Sequence, residues 1–291
     1  MPNNFPGIRC FHSTDSDGRE LDGRTVAVVG YGNLGRAVAL NLRDAGTDVV
    51  VGNVDDSYRQ DAARDGFPVA EIGKAVAEAD IAFVLLPDEV IPGSFRDEIA
   101  PALPAGAAVC FASGFALAYG LVDPPPGVDV LMIAPRMLGT EVRRAHQDGT
   151  GFFSFVSVEQ DASGDAERRL LALAAAVGSL RRGAVELPAR HEAMADLLVE
   201  QTFGTYLGVA LQAAFQIGTE AGLPAEVMAL ELYMSGELSR TAAGFADDGF
   251  YRSVANHGMT AAFGGFIRLP DVDAEAMLAS FRAPLEDVRS G

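Results

Sequence analysis

Val26-Ala27-Val28-Val29-Gly30-Tyr31-Gly32-Asn33-Leu34-Gly35 joins four apolar, mostly β-branched residues to a Gly-x-Gly-x-x-Gly turn. The apolar run reads as a buried strand, and Arg36 to Ala45 continues with helical spacing until Gly46 stops it. Strand, glycine turn and helix in that order are the dinucleotide-binding fingerprint. Gly30 permits the tight turn, Gly32 lets a pyrophosphate approach the backbone, and Gly35 lets helix and strand pack closely. Tyr31, Asn33 and Leu34 complete the turn, whose free N–H groups and helix dipole hold phosphate.

Val49-Val50-Val51-Gly52 supplies the next strand at the expected interval, followed by Asn53-Val54-Asp55-Asp56-Ser57-Tyr58-Arg59. That loop meets the adenosine ribose, which makes Asn53, Asp55, Ser57 and Arg59 cofactor-binding candidates. A carboxylate accepts hydrogen bonds from ribose hydroxyls and repels a 2′-phosphate, whereas an arginine attracts one. The loop offers both, but Val54 occupies the place where a basic residue would be most useful. The balance leans to NAD over NADP.

The chain has 291 residues, 49% of them hydrophobic, enough for two domains with a sizeable core. A net charge of −18 argues against nucleic acid and anionic membranes as partners. Cys10 and Cys110 are too few for a disulfide framework or a zinc site, which points to a reducing interior. Met1 to Gly7 carries no signal pattern, and the longest apolar stretch, Ala107 to Leu121, is interrupted and too short to span a bilayer. A soluble, cytoplasmic protein with a small-molecule substrate is expected.

Further buried strands are predicted at Ile81–Leu86, Ala108–Ala112, Val128–Ile133 and Gly151–Val158, with Ile8–Phe11 as a short edge strand. Helical stretches between them imply an α/β fold, a doubly wound, mostly parallel Rossmann sheet. Ligands lie beyond the strand ends of such sheets. Leu86, Pro87, Asp88 and Val90 at one end, Ser113 and Gly114 at another, and Arg136 at a third are therefore placed around one crevice. Helix replaces this pattern at Asp165–Val177, Glu192–Ala221, Ala225–Thr241 and Ala274–Val288, with Val185–Pro188 as a link. The domains expected are 1–185, dinucleotide-binding, and 186–291, helical.

Glu192, Asp196 and Glu200 are spaced four apart, so a helix sets three carboxylates on one face. Like charges repel there unless solvated or bound to a cation. The bare spacing describes an exposed acidic stripe, yet Leu197, Leu198, Val199 and Phe203 argue for partial burial. Oxygen ligands of this kind suit Mg²⁺. Glu231 and Glu237, on another predicted helix, are six apart and share no face. The four histidines, His12, His146, His191 and His257, have no partners at metal or triad spacing.

Taken together, the chain resembles the short form of ketol-acid reductoisomerase. The resemblance is carried by Val26 to Gly46, by Leu86-Pro87-Asp88-Glu89-Val90, by Ile99-Ala-Pro101 and by Val128 to Arg144. Gln160 to Gly164, Asp196-Leu-Leu-Val-Glu200-Gln201, Thr260 to Gly264 and the tail from Asp271 extend it over nearly the whole chain. It implies an N-terminal Rossmann domain, an all-helical knotted C-terminal domain, and an intertwined homodimer or higher homo-oligomer. It also implies two Mg²⁺ ions, isomerisation of a 2-aceto-2-hydroxy acid by alkyl migration, and reduction of the product by NAD(P)H. Asp196 and Glu200 match metal-ligand positions of the family.

Other positions depart. Ala112-Ser113-Gly114-Phe115 stands where the family has Ala-His-Gly-Phe, Arg136 where it has lysine, and Met137-Leu138-Gly139-Thr140 where it has Gly-Pro-Gly-His. Of the family's paired glutamates on the partner helix, only one is matched, by Glu231 or by Glu237. Ser-x-Ser-Asn has become Ser253-Val-Ala255-Asn256, and Ala262 replaces a glutamate. The changes concentrate on the metal and substrate shell. The expectation is an NAD(P)H-dependent reductase of a small 2-keto acid, related carbonyl or imine, with the isomerase step lost. In that reading Arg136 grips a substrate carboxylate bidentately, and Ser113 donates a hydrogen bond without acting as acid or base. The alternatives are a genuine ketol-acid reductoisomerase of branched-chain amino-acid synthesis, or a non-catalytic NAD(P)-binding sensor.

Overall fold

The computed structural model describes residues 7–249, 252 and 258–290. The chain divides into two compact units between Ala193 and Met194, eight residues beyond the boundary read near 185. The sequence up to Ala193 builds a nine-stranded sheet from β1 (Cys10–Phe11), β2 (Thr25–Val29), β3 (Asp48–Gly52), β4 (Val69–Ala70), β5 (Ile81–Val84), β6 (Ala108–Phe111), β7 (Asp129–Pro135), β8 (Phe153–Gln160) and β9 (Gly183–Glu186). Their order is β1-β9-β8-β7-β6-β5-β2-β3-β4. Pairs β2 through β7 are parallel, whereas β7–β8 and β1–β9 are antiparallel. The segment read as a link is thus the strand β9, which pairs Val185 with Cys10.

Helices cover both faces, as parallel strands require. They are α1 (Asn33–Asp44), α2 (Ser57–Arg64), α3 (Ile72–Ala77), α4 (Ile91–Ser94), α5 (Phe115–Ala118), α6 (Gly139–Gln147) and α7 (Ala166–Val177). Val28, Phe83 and Cys110 from the strands meet Val38 and Leu42 of α1 and Leu173 of α7 in one core layer. Val84 and Phe111 meet Ile72, Ile91 and Phe95 in the other. The register carries the strand ends to one side: Val29 lies level with Gly52 and Val84, and Val84 with Phe111. At β2 the order reverses, with β3 on one flank and β5 on the other. A crevice opens at such a switch point.

Helix α8 (Ala189–Leu198) contains the division. Beyond it lie a π-helical segment, Val199–Gly204, then α9 (Thr205–Glu220), α10 (Ala225–Ala229), a second π segment, Leu230–Met234, and α11 (Glu237–Asp248). Helices Met259–Arg268 and Ala274–Ser290 follow. The helix predicted over Ala225–Thr241 is interrupted, because Ser235-Gly236 makes a turn with Gly236 at φ +74°. Among the described residues of this unit only Thr202, Met228 and Val288 are buried, and no described helix is long and apolar enough to cross a membrane.

Candidate active site

The glycine turn adopts the geometry its spacing predicts. Gly30 has φ +95°, and a Cβ there would lie 2.8 Å from the Leu85 carbonyl oxygen. A Cβ on Gly35 would overlap the carbonyl oxygen of Gly30, so only glycine lets α1 sit this close to β2. Gly32 differs: a Cβ there would meet nothing within 4 Å. It is the N-cap of α1 and no side chain caps the helix. The first N–H groups of α1 therefore face open space, as an anion site requires.

A cleft of about 580 Å³ lies over this turn. Gly30, Tyr31, Gly32, Asn33 and Leu34 form its floor, and Leu86, Pro87, Asp88 and Val90 form the wall after β5. Ser113 closes the β6 end and Asn53 the β3 end. The strand ends thus bring most of the predicted cofactor residues together. Tyr31 takes part through its backbone, since its side chain is buried and donates to Asp65 Oδ2 at 2.8 Å. Arg36 binds the same carboxylate through Nε at 2.7 Å, which holds Asp65 below the usual carboxylate range. Burial, more than the bond to Asp65, raises the Tyr31 phenol.

Asp55, Ser57, Arg59, Gly35 and Gly114 do not line the cleft, and neither does Arg136, expected around the same crevice. Ser57 and Arg59 belong to the first turn of α2 rather than to a loop, because Asp56 caps that helix by accepting the Arg59 N–H at 3.0 Å. Asn53 donates to Asp56 at 2.8 Å and accepts the Tyr31 N–H at 3.0 Å. This chain of bonds ties the glycine turn to α2. Val54, Asp56 and Tyr58 are the loop residues that reach the cleft. Sequence reasoning weighed Val54 and Asp56 and missed Tyr58.

Past β6 and β7, the surprise is Glu192. It is fully buried, accepting the Gly114 N–H at 2.7 Å and Arg136 Nη2 at 2.8 Å. It belongs to no solvated acidic stripe. Arg136 also donates from Nε to the Ala134 carbonyl at 3.3 Å and stacks on Phe155, 5.0 Å from the ring centroid. Its guanidinium is already committed to protein partners, which revises its expected bidentate grip on a substrate. A Cβ on Gly114 would overlap the Ala189 carbonyl, so Gly114 serves the seating of α8. Ser113 Oγ accepts the Phe115 N–H at 3.2 Å and keeps its proton for a ligand. Gly139 packs against the Asn33 carbonyl, which joins the start of α6 to the cofactor turn.

In the second unit, Asp196 is half-buried on α8 and Glu200 is exposed in the first π segment. Glu231 lies in the second π segment, and Glu237 opens α11 beyond the Gly236 turn. Both are exposed. No group of three or more His, Cys, Asp or Glu able to hold a metal ion occurs among the described residues. Ser253, Ala255 and Asn256 lie outside the described residues.

A family model described as acetohydroxy acid isomeroreductase, NADPH-binding domain, matches residues 20–183. A ketol-acid reductoisomerase (NADP⁺) of Pyrobaculum calidifontis is 38% identical over 274 residues, 93% of this chain and 83% of that protein. A second relative, from Saccharolobus solfataricus, is 39% identical over 88% of this chain and 78% of its own length. Among solved structures, an NADH-preferring ketol-acid reductoisomerase from an uncultured archean superposes with a TM-score of 0.89 at 32% identity, covering 97% of this chain and 87% of that one.

Proposed function

Because the chain belongs to the ketol-acid reductoisomerase family, an NAD(P)H-dependent oxidoreductase acting on a carbonyl, we propose that it is a specialised reductase from which alkyl migration has been lost. Its substrate is a small 2-keto acid or a related C=O or C=N compound. The observation that carries this reading is the contrast between an intact dinucleotide cleft and the Gly236 turn that separates Glu231 from Glu237. Alkyl migration needs two cations polarising both substrate oxygens. Reduction needs a positioned cofactor and one source of positive charge at the developing oxyanion.

The cleft fits a nicotinamide dinucleotide. The open α1 N-terminus and bare Gly32 take the pyrophosphate, and the strand ends flanking β2 take its two halves. The bound cofactor supplies hydride. Ser113 offers a hydrogen bond to the substrate, and the Arg136–Glu192 pair, whose carboxylate also accepts the Gly114 N–H, holds the Ser113–Gly114 turn in place. At the β3 end, where the adenosine would lie, Asp56 lines the cleft and no Lys or Arg does among the described residues, while Arg36 and Arg143 of the adjoining cavity are paired with Asp65 and Asp44. That charge pattern favours a ribose 2′-hydroxyl over a 2′-phosphate, hence NADH over NADPH.

Asp196 and Glu200 would supply two carboxylates to Mg²⁺ with its retained waters, and among the described residues no third His, Cys, Asp or Glu joins them. Homo-oligomerisation belongs to the same reading. Ile217, Met259, Phe263 and Phe266 of the helical unit are all more than half exposed. Apolar surface of that extent marks an interaction site, and a second copy of the chain is its proposed cover.

The test is oxidation of NADH and of NADPH with Mg²⁺, offering 2-acetolactate and the rearranged 3-hydroxy-3-methyl-2-keto acid separately. Turnover of the keto acid alone is expected. Turnover of both would overturn the loss of isomerisation and leave a genuine ketol-acid reductoisomerase. Turnover of neither would move the substrate outside these acids.

A further inference from the structure

Tyr58 is a half-exposed aromatic on a rigid mount. It lies in the first turn of α2, where Asp56 caps the helix and Asn53 links that cap to the Tyr31 N–H. The backbone under Tyr58 is thereby fixed relative to the glycine turn, yet the residue is 51% exposed. It also lines two neighbouring cavities. One is the dinucleotide cleft. The other, of about 390 Å³, is walled by Arg36, Leu40, Thr140 and Arg143 and shares Tyr31, Gly32, Asn33 and Tyr58 with the first.

The sheet order decides which half of a dinucleotide lies near this ring. Ser113 and Arg136 follow β6 and β7, on one side of β2, and Tyr58 follows β3, on the other. With the pyrophosphate over Gly32, the reacting ring extends towards Ser113 and the adenosine towards Asn53, Val54 and Tyr58. Ile72 of α3, packed against Gly52 at the end of β3, gives this end of the cleft an apolar side that suits a purine.

We propose that Tyr58 is the adenine platform of this site, its ring stacking on the base at the boundary between the two cavities. The inference rests on the dinucleotide reading above and adds to it a specific determinant of cofactor affinity. Stacking of a base on an aromatic side chain contributes enough to be read directly in a dissociation constant. The ring is presented by a preorganised helix turn, so little ordering opposes it. A stack needs the ring and not the hydroxyl. Phenylalanine should therefore substitute for Tyr58, and alanine should not.

The test is calorimetric titration of the full chain with NADH and with ADP-ribose, which carries the adenosine and pyrophosphate but no nicotinamide. Y58A is expected to bind both about tenfold more weakly, Y58F within about twofold of the parent, and Y58W at least as well as the parent. An unchanged Y58A would overturn the proposal while leaving the dinucleotide site standing. So would a Y58F as weak as Y58A, which would assign the contact to the hydroxyl. Failure of the parent chain to bind either compound would instead remove the dinucleotide reading on which the proposal rests. Exposure of the side chain protects the fold in all three variants, and matching thermal transitions verify it.

Discussion

Glu192 and Arg136, fifty-six residues apart in sequence, meet at 2.8 Å at the C-terminal end of β7, with the second Glu192 oxygen closing on the Gly114 N–H at 2.7 Å. One carboxylate therefore joins the start of α8 to the ends of two strands. Its removal leaves a buried N–H without its acceptor and a cation without this counter-charge. E192A is expected to cost about 2–3 kcal/mol in urea unfolding, somewhat below the usual loss for a broken buried pair because Arg136 is partly exposed. E192Q keeps an acceptor for Gly114 but turns its amide N–H₂ on the Arg136 guanidinium, donor against donor, so it should recover only part of that stability and should lower kcat. Equal stability of E192A and the parent would deny the pair a structural role.

Gly32 and Gly35 should separate binding from folding. A methyl on Gly35 overlaps the Gly30 carbonyl, so G35A is expected to lose at least about 3 kcal/mol of stability. A methyl on Gly32 meets no protein atom and its φ of −69° suits alanine. G32A should unfold like the parent yet bind NADH at least about tenfold more weakly, because the methyl occupies the approach of the pyrophosphate. Thermal melts paired with NADH titrations check both outcomes.

The buried pair Asp129–Arg169, 3.1 Å apart, is unequal in its two halves. Asp129 also accepts the Ala162 and Ser163 N–H groups at 2.9 Å and the Ser163 hydroxyl at 2.7 Å. D129A strips the acceptor from all of these and should cost about 3–5 kcal/mol. R169M leaves Asp129 with three donors and should cost about 2 kcal/mol. The order of the two denaturation midpoints is the readout, and its reversal would refute the ranking.

His146 is buried beside Gly178, with Nδ1 lacking a hydrogen-bond partner. Burial first, then the Arg181 and Arg143 charges, pushes its pKa below the ordinary 6.5. Below that pH the unfolded chain takes a proton that the folded chain refuses. Stability is therefore lost as pH falls through about 6.5 and is independent of this group above it. The difference in urea midpoint between the parent and H146Q should change between pH 7.5 and pH 5.5, to the parent's disadvantage at low pH. A constant difference would contradict the assignment.

The parallel strands and the glycine turn were legible because each central strand is a continuous apolar run, and glycine is the one residue that fits Gly30 and Gly35. Strand β9 was not legible. Gly183-Ala-Val-Glu186 is four residues long and owes its state to pairing with β8 and β1. Ser57 to Arg59 read as loop, although the cap that begins their helix, Asp56, was in plain view. Glu192 read as one of three surface carboxylates because its partner is remote in sequence. Spacing along one helix carries no record of an arginine arriving from another strand.

Strand β1 pairs with β9, so Cys10 lies against Val185. Among the described residues β1 is the first strand made, and it leaves the ribosome long before β9, its neighbour in the sheet, exists. At translation rates of about 5–20 residues per second the wait is on the order of ten seconds or more. The edge pairing of β1 therefore waits on β9, the last strand of the sheet to be made among the described residues.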